Sequence, residues 1–328
     1  VDLMPAGPIT NGSPTSLKRW MADLPATLTS QPLHLLKIPG SHDSGATAEL
    51  DPKLPVAIDL SDNIRRFAKP TCIKMGIKRW AVSQRYAIRE QLEHGVRYLD
   101  LRIARPPPEV RSSEKDFRIV HGLYGITLRD CLKQVADFLN ENDKEVILFD
   151  MNHVYDINIA EFTIIRQEIL EAFGKSWLCP YIEDINAVTL DYMWKSGYRA
   201  IVICTFKSSD PTGFLFWPWT KISSPWPNTS NINTLIQTLK NGLESRPMSS
   251  SEKEPLRFFV SQGVITPQDS DVILRWFSSL QEFSKDVTPT VLQWMSELSE
   301  EIKQKINIVL LDYIDDHTSN FIISLNKV

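Results

Sequence analysis

The sequence predicts an α/β fold, a (β/α) barrel of the TIM type built as a single domain, and three observations carry that reading. Apolar runs of strand length alternate with segments of helical periodicity, most of the runs are too apolar to leave a face in water, and polar residues collect at their C-terminal ends. Seven or eight strand–helix units over about 300 residues suit a closed barrel with insertions. The alternative, an open doubly wound sheet, leads one to look for a Gly-rich phosphate turn after the first strand, and no G-x-G-x-x-G occurs.

Residues 1–16, rich in Pro, Gly, Ser and Thr, read as a flexible lead-in, and 17–328 as the barrel domain. The strand-like runs are LHLLKI (33–38), VRYLDLRI (96–103), FRIVHG (117–122), EVILFDMN (145–152), RAIVICTF (199–206), LRFFVSQG (256–263) and NIVLLDYI (307–314). TLRDCLKQVADFLNEN spaces Leu128, Cys131, Leu132, Val135, Phe138 and Leu139 as one helix face, opened by Thr127 and Asp130 as a capping box. SQRYAIREQLEHG reads as a helix capped by Ser83 and stopped by Gly95.

Composition bounds the function classes. With a net charge of -4, the chain has no overall electrostatic reason to hold nucleic acid. Four cysteines in 328 residues make no disulfide framework, and Cys131 and Cys204 sit in apolar patterns that read as buried thiols, favouring a reducing, cytoplasmic setting. No stretch is apolar enough to span a membrane, and the N-terminal stretch lacks a signal-peptide core. Secretion stays the alternative, because the first residue is Val1 and glycosylation-type triplets occur at Asn11 and Asn228.

Active sites of such barrels lie at the C-terminal strand ends. His42 follows the first run, Asp100 and Arg102 end the second, His121 the third, Asp150, Asn152 and His153 the fourth, and Asp312 and Asp315 the last. Period-two alternation puts Tyr98, Asp100 and Arg102 on one face, so a charged pair points into the mouth. His34, His94 and His317 read as structural. His42 and His121 differ, because each follows a strand run and adjoins glycine, in PGSHDSG and VHGLYG. Two histidines can serve as base and acid in one reaction, and a guanidinium that keeps its proton can hold phosphoryl charge, which together fit phosphodiester chemistry.

IPGSHDSG, YLDLR, VHGLYG and VILFDMNH, in this order and at these separations, resemble the X domain of phosphatidylinositol-specific phospholipase C, in particular the small eukaryotic X-domain-only group. The resemblance runs from about Trp20 to Asn326 and takes in FWPWTKISSPWPNT and SQGVITP. It implies a distorted (β/α) barrel. It also implies His42 as the base for the inositol 2-hydroxyl, His121 as the acid for the diacylglycerol oxygen, Asp43 as the carboxylate paired with that acid, and Asp312 as a partner orienting His42.

Arg102 bears on the cofactor. In the calcium-dependent animal enzymes this strand carries two metal-binding carboxylates, whereas the bacterial metal-free enzymes have Asp followed two residues later by Arg, as Asp100 and Arg102 do here. The calcium pattern also expects a glutamate where this chain has Met151. No metal and no cofactor are therefore expected. Bacterial relatives hold the inositol ring with a lysine and an arginine, whose places here look occupied by Met151 and by a residue near Thr205, with Lys207 nearby. Asp100, Asp150, Asn152, Lys207 and Trp219 are the candidates for substrate contact. For Asp150 and Asn152 a structural role at the strand end is the equal alternative.

From Asn63 to Arg89 the chain has no acidic residue, and basic residues are interleaved with Phe67 and Trp80. This suits a rim approaching an anionic bilayer, with a solvated helix face as the bland alternative. In the Trp-rich loop 214–227 the tryptophans either meet headgroups, stack on a ring, or cover the barrel end. The expected partner is a phosphoinositide lipid in a membrane surface, with the protein peripheral to it and its oligomeric state unspecified. Two rivals stand beside this reading. One is a metal-assisted glycerophosphodiester phosphodiesterase with His42, Asp43 and His153 as ligands; the other is a non-catalytic phosphoinositide-binding protein.

Overall fold

The computed structural model describes residues 16–206, 215–249 and 255–327. The lead-in call at 1–16 falls outside them except for Ser16, whose side chain accepts from Lys18 N at the first turn. Ten strands form one sheet: β1 (Ile38–Ser41), β2 (Tyr98–Ala104), β3 (Arg118–His121), β4 (Leu123–Thr127), β5 (Ile147–Tyr155), β6 (Ala200–Cys204), β7 (Trp217–Pro218), β8 (Ile222–Ser223), β9 (Phe258–Gln262) and β10 (Ile308–Leu311). Eight run parallel in the order β7-β6-β5-β2-β1-β10-β9-β8, a barrel that is nearly closed, with no pairing between β7 and β8 among the described residues.

Alternation along each strand sorts the side chains into two cores. Tyr98, Leu148, Ile201, Ile203, Phe258, Val260, Ile308 and Leu310 pack together in the barrel interior. Leu99, Leu101, Ile103, Phe149, Met151 and Val202 face outward under the helices Leu128–Glu141 and Ile159–Trp177. The first of these helices starts where the sequence indicates: Thr127 Oγ1 accepts from Asp130 N at 3.0 Å. Cys131 and Cys204 are buried free thiols, as expected.

Four readings need correction. The run 33–38 is mostly not strand: Leu33–Leu35 is a 3-10 turn, because Leu33 and Leu36, three residues apart, both pack into the barrel floor, and β1 begins only at Ile38. The run 117–122 supplies no barrel strand. β3 pairs antiparallel with the end of β2 and doubles back through Gly122, at φ +67, into β4, so this hairpin stands on the rim. The helix expected after Ser83 starts at Ile88, and Ser83 does not cap it. Two barrel strands, β7 and β8, lie in the Trp-rich loop and have only two residues each.

The floor is fastened by a buried ion pair. Glu145, beside β5, accepts from Arg97 Nε at 2.8 Å and from Ala22 N at 3.1 Å, while Arg97 donates to the carbonyls of Leu92, Val96 and Lys18. Both side chains are buried, so removing one partner strands a charge. Glu145→Ala is expected to lower stability by about 3–5 kcal/mol, seen as a lower urea midpoint with an unchanged slope.

Candidate active site

The site is assembled where β1 ends. The last ladder bond, His42 N to Leu311 O at 3.1 Å, leaves His42 at the mouth, and the chain then turns through Asp43 at φ +42. A non-glycine residue in this region is strained, and neighbouring groups hold it there. Asp43 N donates to Asp100 Oδ2 at 3.1 Å and Ser44 N to Asp100 O at 2.8 Å. Gly45 completes the turn; a Cβ there would lie 2.4 Å from Ile119 Cγ2, so only glycine allows the hairpin to close on the loop.

Asp43 is the centre of the cluster. Its Oδ1 is 2.6 Å from Arg102 Nε, and its Oδ2 is 3.3 Å from both His42 Nε2 and His121 Nε2. The two imidazole centroids are 6.4 Å apart. None of these contacts has hydrogen-bond alignment, so charge rather than directional bonding holds the carboxylate. Burial would raise its pKa, but Arg102, His121, His42 and His153 together hold it down to about 2. Among the described residues the terminal guanidinium nitrogens of Arg102 have no hydrogen-bond partner, and the side chain is partly open to the mouth.

Each histidine is oriented through Nδ1. His42 Nδ1 is 2.8 Å from Asp312 Oδ1, and His121 Nδ1 is 2.7 Å from the carbonyl of Ala81. A carbonyl only accepts, so His121 carries its proton on Nδ1 when neutral and presents Nε2 to the mouth. Burial lowers the pKa of His42, but Asp43, Asp312 and Asp100 outweigh it and raise the ring to about 9.

The substrate-contact candidates divide. Asp100 and Asn152 reach the mouth but are engaged with each other, Asn152 Nδ2 donating to Asp100 Oδ1 at 3.0 Å. Asp150 takes the structural alternative: level with Asp100 in the β2–β5 register, it is buried, accepts from the Tyr98 hydroxyl at 2.6 Å, and is pushed up to about 8 chiefly by burial. Met151 does not occupy a mouth position. The β2–β5 register slips between Leu101 and Arg102, Asn152 is the extra residue, and Met151 packs outward with the helices. Lys207 lies outside the described residues. Trp219 is an exposed side chain on the rim after β7, with no hydrogen bond, ion pair or ring contact to the cluster. Asp315 caps the helix Asp316–Ser324, and His34, hydrogen-bonded to Asn186 and lowered to about 4 chiefly by burial, is structural.

His42, Asp43 and Asp100 offer ligand atoms within 4.8 Å of one another, while His153 is exposed and outside that group. The set fits a divalent cation poorly. Asp43 already carries the Arg102 guanidinium, and Asp100 already accepts two N–H groups. A hard cation wanting six or so oxygens would meet two carboxylates and a fixed positive charge.

The rim outside the cluster is apolar at two places. Phe67, after β1, and Ile273, Leu274 and Phe277, after β9, are all more than 70% exposed. The basic stretch is less free than its composition suggests. Lys74 donates to Leu54 O, Lys78 to Ala48 O and Arg79 to Trp276 O, while Arg65 pairs with Asp62 and Arg89 with Glu93 and Glu141. Arg66 and Lys69 are exposed and make no ion pair among the described residues. Among the described residues no helix is long and apolar enough to cross a membrane.

Known proteins match this arrangement. Residues 73–190 match the family model described as phosphatidylinositol-specific phospholipase C, X domain. The human PI-PLC X domain-containing protein 2 is 36% identical over 251 residues, covering 76% of this chain and 77% of the relative. Human PI-PLC X domain-containing protein 3 is 32% identical over 316 residues, covering 95% and 94%. Among solved structures, the phosphatidylinositol-specific phospholipase C from Listeria monocytogenes superposes with a TM-score of 0.65 at 18% identity, covering 96% of this chain and all of that one. A variant of the Staphylococcus aureus enzyme gives 0.64 at 18%, covering 97% and 99%. At that identity the likeness is one of fold.

The cluster makes stability depend on pH at both ends. His42 stands at about 9 against 6.5 unfolded, so its contribution is complete below pH 6.5 and is lost as pH rises through about 9. Asp43 stands at about 2 against 3.8, so its contribution is present above pH 3.8 and is lost as pH falls through about 2. In Asp312→Asn the His42 ring is expected to titrate below its wild-type midpoint, and the alkaline loss of stability should shrink. NMR of the imidazole carbons and urea midpoints between pH 6 and 10 check both.

Proposed function

The chain belongs to the phosphatidylinositol-specific phospholipase C X-domain family, and we propose that it is a metal-independent phosphodiesterase cleaving phosphatidylinositol lipids. The observation that carries this reading is the arrangement around Asp43: two imidazole Nε2 atoms, each 3.3 Å from one carboxylate oxygen, beside a guanidinium whose terminal nitrogens have no hydrogen-bond partner among the described residues.

Neutral His42 takes the proton of the inositol 2-hydroxyl on Nε2 while Asp312 steadies the Nδ1 side. The resulting oxygen attacks phosphorus in line with the diacylglycerol oxygen. Arg102 neutralises the charge gathering on the non-bridging oxygens, its guanidinium held beside the cluster by the charge of Asp43. Protonated His121, paired with Asp43, gives its Nε2 proton to the departing oxygen, so the P–O bond to diacylglycerol breaks as the ring P–O bond forms. The products are diacylglycerol and inositol 1,2-cyclic phosphate, and the two histidines exchange protonation states. Because His42 is held at about 9, kcat/KM is expected to rise with pH through the neutral range towards that value.

The lipid is met at the mouth. Phe67 and the Ile273, Leu274, Phe277 tip stand on the C-terminal rim that also bears His42, with Arg66 and Lys69 near Phe67. This supports approach to an anionic bilayer, with the apolar tips entering it and the basic residues meeting headgroups. The protein is then peripheral to a membrane surface and cytoplasmic.

Phosphorus NMR of phosphatidylinositol vesicles in EDTA tests the reading. A cyclic phosphate resonance is expected with the wild type and should fall at least ~100-fold in rate in His42→Ala and in His121→Ala. No turnover with intact protein would leave the non-catalytic lipid-binding reading, and turnover abolished by EDTA would favour the metal-assisted one. Replacing both Leu274 and Phe277 by Ser should weaken vesicle sedimentation about 10-fold or more while leaving the fold intact, given that both side chains are exposed.

A further inference from the structure

The segment Ala81–Gln84, at the junction of the helices Thr71–Ala81 and Ile88–Glu93, contacts His42, Asp43 and His121 of the cluster although none of its side chains faces the mouth as an acid or base. Ala81 O receives His121 Nδ1, and Ser83 Oγ lies 3.1 Å from His42 O and 3.2 Å from Asp43 O. Gln84 Nε2 donates to His42 O at 2.8 Å and to Leu311 O at 3.0 Å, and its Oε1 accepts from Ile314 N at 3.2 Å. Ser83 and Gln84 are both buried.

The position of Gln84 has a structural logic. The β1–β10 ladder has its last paired residues at Ser41 and Leu311, one residue short of His42 and Asp312. Beyond that point the parallel strands supply no partner for the carbonyl of His42. The Gln84 amide takes the place of the missing strand neighbour: its N–H groups hold His42 and Leu311, and its oxygen holds Ile314, so Asp312 is bracketed on both sides. The 2.8 Å contact between His42 and Asp312 is thus formed by two strand ends that the sheet itself no longer joins.

We infer that Ser83 and Gln84 are positioning residues for the phosphodiester cleavage proposed above, Gln84 setting the His42–Asp312 pair and Ser83 the backbone of His42 and Asp43. The inference rests on that reading for its kinetic consequence but not for its geometric one. Asp43, Asp312, Asp100, Arg102 and His121 are the titratable and charged groups around His42, and Gln84 is itself neutral. A change in His42 titration on replacing a neutral side chain therefore reports a change in their distances.

The test uses the full chain with Gln84→Met, which keeps the volume and loses all three hydrogen bonds, and Ser83→Ala, which loses only the hydroxyl. In Gln84→Met, kcat on phosphatidylinositol vesicles in EDTA is expected to fall about 10- to 100-fold with KM changed less than about twofold. The His42 imidazole should titrate about one pH unit or more below its wild-type midpoint. Ser83→Ala should move the same quantities in the same direction by less, about 3- to 10-fold in kcat. Folded variants in which kcat and the His42 midpoint both stay at wild-type values overturn the inference and make the segment a stability staple alone. If Gln84→Met does not fold, an unmoved His42 midpoint in Ser83→Ala overturns it equally. If the wild type turns over no lipid yet the His42 midpoint falls in Gln84→Met, positioning stands and the proposed function fails.

Discussion

The ionised carboxylate of Asp43, buried at the barrel mouth, is the constraint on which the rest of the site depends. A lone buried carboxylate would take up a proton to escape the desolvation cost. Here the anion persists because Arg102 sits on one oxygen and two histidines on the other. Each of those groups is in turn placed by something else: Arg102 by its position on β2, His121 by the rim hairpin and the Ala81 carbonyl, His42 by Asp312 and the end of β1. Removing any cation leaves excess negative charge in a poorly solvated place, so the cluster stands or falls together.

That arrangement is held by backbone irregularities rather than by the regular barrel. Asp43 adopts a left-handed conformation costing about 1–3 kcal/mol, and its N–H is fixed by Asp100. Asp100 is fixed by Asn152, the residue at which the β2–β5 register slips. An unbroken ladder would leave Asn152 without the offset that makes it the extra residue. The regular part of the barrel supplies burial and rigidity; the bulge, the positive φ and the premature end of the β1–β10 ladder supply the site.

These facts explain what was legible in the sequence. His42 and Arg102 could be picked out because a parallel sheet sends the residues after its apolar runs to one rim, and period-two alternation puts Arg102 on the face of Tyr98, whereas His121 stands on an antiparallel hairpin and was marked by its glycine neighbour, and Asp43 by the family resemblance alone. Met151 was placed at the mouth by the resemblance, whereas alternation along β5 sends it outward with Ile147 and Phe149, and a strand end gives no sign of how deeply Asp150 is buried. Strands β7 and β8 were unreadable because two residues carry no period. Ser83 was misread for a different reason. A serine ahead of an apolar periodic run looks the same whether its hydroxyl caps a helix or donates to carbonyls remote in sequence, and only the wait until Ile88 for the helix to begin hinted otherwise. Gln84 left no sequence signal at all, because its partners lie on strand ends over 40 and over 220 residues away.

In the proposed metal-independent reaction, a fixed guanidinium in place of an exchangeable ion also changes what controls the site. A metal's occupancy varies with supply and its charge can be removed by a chelator, whereas Arg102 is present whenever the chain is folded and does not titrate in any accessible range. Control therefore passes to the groups that do titrate. Among these His42 is set high by three carboxylates, and the same carboxylates that make it a strong proton acceptor keep it charged at neutral pH. The site gains basicity at the expense of the fraction of molecules ready to use it, and the balance between the two is fixed by how closely Asp43 and Asp312 approach the ring. A displacement of a few tenths of an ångström at either contact shifts that balance, which is why the hydrogen bonds behind His42 matter as much as the groups in front of it.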